Sequence, residues 1–191
     1  MFLGDSFINQ FALVSNDIVH GQNLYTLVTS MFLHAGFLHI AGNMLYLWVF
    51  GPNLEDVMGP LPYTIFYFVC GLIANVAQIA MDPTSTVVSL GASGAIAGIL
   101  GGFIIEFPAD QIKSLVPLGP ILFSTRVPSI LLLGVWFLLQ FFSGVGEVTT
   151  QSVDSGGVAF FAHIGGFIAG MLLVKLFVAF RPGRQEIEYY G

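Results

Sequence analysis

Four polar side chains lie in stretches of this chain that are otherwise apolar: His39, Asn43, Ser93 and His163. Polar groups at membrane depth are costly, usually face protein rather than lipid, and are functional candidates by default. His39 and Asn43 are four residues apart, so on a helix both project from one face. An imidazole and a carboxamide so placed can donate hydrogen bonds to a single anionic oxygen. Ser93 is a hydroxyl that needs a base to become a nucleophile, and His163 is a base of the right kind. The serine arm is short, so a direct bond of about 2.6–3.2 Å demands that two helices nearly touch. Both residues sit among small side chains that permit this. Gly91 precedes Ser93, and Gly94, Ala97, Gly98, Gly101 and Gly102 follow it. Gly166 and Gly170 follow His163 on the histidine's own face, and such small-xxx-small faces allow backbone-to-backbone approach.

Each feature alone has a plainer explanation. A serine in a glycine-rich membrane helix commonly bonds a backbone carbonyl, a single membrane histidine serves as a structural partner, and small-residue stripes mean packing. The conjunction of four polar groups at one depth favours chemistry. His34 reads as a residue that orders the segment leading into the first span, Glu106 as a boundary charge, and the 19 phenylalanines as lipid-facing bulk.

The elements that must position these groups follow from composition. Only 8% of the 191 residues are charged and 55% are hydrophobic, with a mean hydropathy of +0.86. A water-facing surface uses roughly 25% charged residues, so lipid is the solvent here. The net charge of −6 with five basic residues excludes a nucleic-acid partner, and the single Cys70 excludes a disulfide framework. The expected fold is all-α, a single polytopic helical bundle over residues 1–191, with no metal and no cofactor. Five apolar stretches read as spans: about 36–51, 61–80, 92–108, 128–144 and 157–180. "GPNLEDVMGPLP", "MDPTST", "PADQIKSLVPLGP" and "GEVTTQSVDSGG" read as the connections. Residues 1–35 form an external segment, in which "FINQFALV" (7–14) is too short to cross and reads as interfacial.

Lys113 and Arg126 fall between spans three and four, and Lys175, Arg181 and Arg184 fall at the end of span five. Positive residues favour the cytoplasmic side, which makes 181–191 a cytoplasmic tail. His39, Asn43, Ser93 and His163 then converge at similar depth near the outer face. Five spans with an external start predict a further helix upstream of Met1. Zinc proteolysis lacks an H-E-x-x-H, aspartyl proteolysis lacks a second membrane carboxylate beside Glu106, and no P-loop is present.

"HAGFLHIAGN" (His34 to Asn43), "GASG" (Gly91 to Gly94) and "AHIGGFIAG" (Ala162 to Gly170) closely resemble, in order and spacing, the signature elements of the rhomboid intramembrane serine proteases. The resemblance runs from about residue 20 to 180. It implies a Ser–His dyad without an aspartate: Ser93 as nucleophile, His163 as general base and then acid. It further implies an oxyanion site of His39, Asn43 and the Ser93 backbone N–H. Its substrates would be single-span membrane proteins, cut near the outer face of a membrane, here expected to be a prokaryotic plasma membrane. The chain departs from the pattern in three places. Against the six core helices that the resemblance implies, five are expected in this sequence, with Met1 to Leu3 as the expected remnant of the first. An aromatic–Arg pair in the first external loop is replaced by Tyr25–Thr26. A tyrosine that stacks on the base is replaced by Ala97, which predicts a less firmly oriented His163. The alternative functions are a non-catalytic rhomboid-like protein that binds client membrane helices, and a small-solute transporter, for which the sequence shows no inverted repeat.

Overall fold

The computed structural model of the chain describes residues 5–118, 121–150 and 159–180. The expected remnant Met1 to Leu3, the tail 181–191 with Arg181 and Arg184, and residues 151–156 of the expected 145–156 connection lie outside the described residues. Residues 145–150 are helical and belong to the helix Ser129–Thr150 instead of a loop.

The fold is a helical bundle arranged around one short helix. Among the described residues, eight α-helices occur in the order α1 (Asp5–Phe11), α2 (Ser15–Val19), α3 (Thr26–Thr29), α4 (Phe37–Met58), α5 (Pro60–Met81), α6 (Ser93–Glu106), α7 (Ser129–Thr150) and α8 (Phe160–Ala179). At 14 residues α6 is about 21 Å long, well short of the roughly 30 Å hydrocarbon core. Every residue from Gly94 to Phe103 is buried, because α4, α5, α7 and α8 all pack on α6. Protein surrounds α6 where a lone helix would meet lipid, which is why so few residues and so many glycines suffice.

The outer helices carry the apolar surface. α5, residues 129–146 of α7 and α8 are each long and apolar enough to cross a bilayer. A fourth candidate is the bent pair of Thr26–Phe32, whose last turn is a 3-10 helix, with α4, which meet at 94°. Leu38, Trp48, Leu61, Leu139 and Leu172 are exposed on these helices, as a lipid-facing surface requires. The chain is an integral membrane protein.

Three features differ from the expectations drawn from sequence. The first span does not end at the Gly51–Pro52 turn signal. α4 continues through Pro52 to Met58 and stops at Gly59, whose φ of +85 starts the turn into α5. Phe50, Leu54 and Met58, one turn apart, are buried against the core, and that burial outweighs the roughly 3 kcal/mol cost of an interior proline. Second, "QIKSLVPL" and "ILFSTRVP" form a β-hairpin, β3 (Gln111–Leu118) with β4 (Ile121–Pro128), in the register Gln111↔Pro128 through Leu118↔Ile121. Pro117 and the Gly119–Pro120 pair read as breakers, whereas Ile112, Phe123, Thr125 and Val127 are good strand formers that won. Ser129 ties the hairpin's exit to its entrance, its Oγ donating to the Phe107 carbonyl and its N–H to that of Asp110 at 2.8 Å. Third, the phenylalanines are not all lipid-facing. Phe50, Phe66, Phe103 and Phe167 are buried, and Phe50 meets Phe103 edge to face at 5.0 Å.

The segment before α4 folds back over the loop that leads into α6. β1 (Leu13–Val14) pairs antiparallel with β2 (Val88–Ser89), and Ile8 and Ala12 pack with Leu33 in a small core of their own. Tyr25, in place of the aromatic–Arg pair, donates to the Gln10 carbonyl at 2.9 Å, and buried Thr26 donates to that of Asn23 at 2.8 Å. The Gly91 N–H donates to the Ser30 carbonyl at 2.9 Å, which fixes the turn two residues before Ser93.

Candidate active site

Ser93 is the first residue of α6, where helical N–H groups have no carbonyl partner within the helix. His163 stands in the first turn of α8. The Ser93 Oγ and the His163 Nε2 are 2.7 Å apart, a full hydrogen bond between groups 70 residues apart in the chain.

Close packing of α6 on α8 makes this reach possible. A Cβ at Gly166 would run into the Gly94 carbonyl, one at Gly170 into the Gly98 carbonyl, and one at Gly101 into the Phe167 carbonyl. Gly94 and Gly98 have a further role that the sequence did not reveal. Their missing side chains face α5, where a Cβ on Gly94 would come within 2.7 Å of Ala74 and one on Gly98 would overlap Cys70. α6 is thus smooth toward two neighbours at once.

His39 and Asn43 lie across a cavity of about 280 Å³ that they line together with Ser93, His163, Trp136 and Gln140. The Ala35 N–H donates to His39 Nδ1 at 3.2 Å, so in the neutral ring the proton sits on Nε2 and that nitrogen is a donor. Asn43 is buried and gives one N–H to the His39 carbonyl at 3.0 Å, leaving its second amide hydrogen to donate elsewhere. Gly91 has a φ of +129, and a Cβ there would press on the His39 ring at 3.0 Å and approach Ser93 Oγ at 3.6 Å. Only glycine suits both that backbone and that space. His34 packs edge to face on His39 at 5.2 Å; burial first, and the neighbouring His39 second, hold its pKa below the ordinary 6.5.

Two glutamines that sequence reasoning passed over hold His163. Gln140 on α7 meets the ring's Nδ1 through its Oε1 at 2.8 Å. Gln78, near the end of α5, accepts the Ala162 N–H at 3.2 Å and so fixes the start of α8. Trp136, one turn before Gln140, lies with its ring 6.0 Å from the imidazole. A less firmly oriented base was the expected consequence of Ala97. The imidazole is instead held from α7. Glu106 is more than a boundary charge, since Lys175 pairs with it at 2.9 Å and joins α6 to α8 at the end remote from Ser93. Among the described residues, no group of three or more His, Cys, Asp or Glu side chains could hold a metal ion.

A family profile described as the Rhomboid domain matches residues 21–180. The chain belongs to the rhomboid family. It is 32% identical over 173 residues to Rhomboid-like protease 3 of Toxoplasma gondii, covering 88% of this chain and 58% of the relative. It is 27% identical over 160 residues to Rhomboid protease GluP of Bacillus subtilis, covering 84% of this chain and 27% of that protein. With the mitochondrial Rhomboid protein 1 of Saccharomyces cerevisiae it shares 28% identity over 171 residues, covering 87% and 45%. The chain spans about half the length of the curated relatives it matches first. Rhomboids are generally intramembrane serine proteases that act on membrane proteins within the bilayer. The three motifs of this chain, at His34 to Asn43, Gly91 to Gly94 and Ala162 to Gly170, all fall inside the matched rhomboid region.

Proposed function

We propose that this rhomboid is an active serine endopeptidase that cuts single-span membrane proteins with a Ser93–His163 dyad. The observation that carries the reading is the 2.7 Å contact between Ser93 Oγ and His163 Nε2 at the edge of a cavity that also holds His39 and Asn43.

The chemistry runs as follows. His163 Nε2 takes the hydroxyl proton as Ser93 Oγ attacks the scissile carbonyl carbon. The carbonyl oxygen becomes an oxyanion, accepting hydrogen bonds from His39 Nε2–H, the free amide hydrogen of Asn43 and the Ser93 N–H. One such donor in a water-poor site is worth about 2.7–4 kcal/mol to the transition state. The intermediate collapses, the C–N bond breaks, and His163 passes its proton to the leaving amine. Water then attacks the acyl-serine by the same route in reverse. Gly94, Gly98, Gly166 and Gly170 serve the reaction by letting α6 pack closely on α8 and α5, and Gly91 by leaving room for the His39 ring beside Ser93.

The reading includes an orientation, with the site toward the outside of a prokaryotic plasma membrane and the C-terminus cytoplasmic. Its support is the position of Lys113 and Arg126 between α6 and α7 and of Lys175 near the end of α8. The test is cleavage of a fluorogenic single-span peptide in proteoliposomes. Wild type should release product, with Ser93→Ala and His163→Ala each at background. A wild type that binds the peptide without cutting it would instead identify a client-binding protein.

A further inference from the structure

We propose that Gln140 is the positioning residue that fixes the tautomer of His163, so that α7, not α6, holds the base in its working form. The inference deepens the dyad reading above and rests on it for its kinetic consequence.

A neutral imidazole carries one N–H and one lone pair, and a base facing a serine hydroxyl needs the lone pair on the nitrogen nearest it. Ser93 faces Nε2 at 2.7 Å, and the Oε1 of Gln140 faces Nδ1 at 2.8 Å. An amide oxygen can only accept, so this contact requires the proton on Nδ1 and leaves Nε2 free to take the serine proton. The opposite tautomer would leave Oε1 against a lone pair and place an N–H where Ser93 must deliver its own.

The local build favours this contact. Trp136, Gln140 and Gly144 are each four residues apart and share one face of α7. Trp136 flanks the imidazole. Gly144 brings the next turn close to α8, where a Cβ would come within 3.2 Å of Phe160. A glutamine also suits the setting better than a carboxylate. It offers the same acceptor without a charge that would be expensive to hold in an apolar bundle. Since Gln78 separately fixes the backbone at Ala162, the ring orientation is the part left to Gln140.

The experiment compares Gln140→Met, which keeps bulk and removes the acceptor, with Gln140→Glu, which keeps the acceptor. Four quantities are read in detergent: kcat and KM on the fluorogenic peptide, thermal stability, and the 15N resonances of labelled histidine, with His163 identified by its loss in His163→Ala. The expected result is an Nδ1–H tautomer in wild type and a mixture with Nε2–H in Gln140→Met. That variant should lose kcat by about 100-fold with KM nearly unchanged, given that a wrong tautomer can cost up to about 10⁴ in related chemistry. Gln140→Glu should keep the Nδ1–H form and recover most of the rate. A wild type with the proton on Nε2 would overturn the inference. So would an unchanged tautomer in Gln140→Met, or equal rate losses in the two variants. Should Gln140→Met not fold, the wild-type tautomer and the Gln140→Glu rate decide. If wild type cuts nothing, the dyad reading fails on its own, while the tautomer comparison still decides whether Gln140 sets the ring.

Discussion

Replacing Gly166 by alanine puts a methyl group into the Gly94 carbonyl, at the residue immediately after Ser93. The added carbon would stand 2.1 Å from that oxygen where an ordinary contact needs roughly 3.5 Å, so α8 must withdraw from α6 by about 1.4 Å at that level. Gly166 lies one turn from His163, so the imidazole moves with it. The 2.7 Å bond to Ser93 then stretches to about 4.1 Å, beyond hydrogen-bond range. A displacement of that size costs about 100-fold in rate, whereas overpacking costs about 1–3 kcal/mol in stability. The assay is kcat/KM on the fluorogenic peptide beside a thermal melt, with Gly134→Ala as control, since a Cβ there meets nothing within 4 Å. Gly166→Ala should lose about two orders of magnitude in rate while still folding, and Gly134→Ala should match wild type. A Gly166→Ala protein that melts lower yet turns over at the wild-type rate would refute the claim that α6–α8 contact sets the dyad distance.

Three other outcomes follow from the same geometry. Asn43→Ala should lower kcat by about 10²–10³-fold with a much smaller effect on the melt; matched losses would make Asn43 a structural residue. Ser129→Ala removes the buried bond to Phe107 and should cost about 1 kcal/mol of stability or more, measured by denaturation in detergent, without changing KM. For His34, whose folded pKa lies below 6.5, the unfolded chain takes up the proton first on acidification. Stability should therefore fall as pH drops below about 6.5, and His34→Gln should flatten that part of the melting-temperature profile relative to wild type.

The four polar residues lining the cavity were legible because each interrupts an apolar run, and the glycines because their spacing matches a helix face. The helix order was legible for the same reason, since apolar length is a coarse signal that survives local irregularity. Turn chemistry was the weaker guide. Pro52 looked like an end and is an interior position that burial of Phe50, Leu54 and Met58 overrides. Pro117 and Gly119–Pro120 hid a hairpin whose pairing is set between strands rather than along one. Gln140 and Gln78 gave no signal because a lone glutamine in an aromatic-rich helix has no motif, and its importance depends on a histidine many residues away. The direction of Gly94 and Gly98 toward α5 was hidden too, since spacing says which residues share a face but not which neighbour that face meets.

The central claim, that Ser93 is an activated nucleophile, is tested most directly by a fluorophosphonate probe followed by mass spectrometry of the labelled peptide. The adduct should map to Ser93 in wild type, vanish in Ser93→Ala, and be lost in a folded His163→Ala. Labelling of wild type no greater than of Ser93→Ala would contradict it.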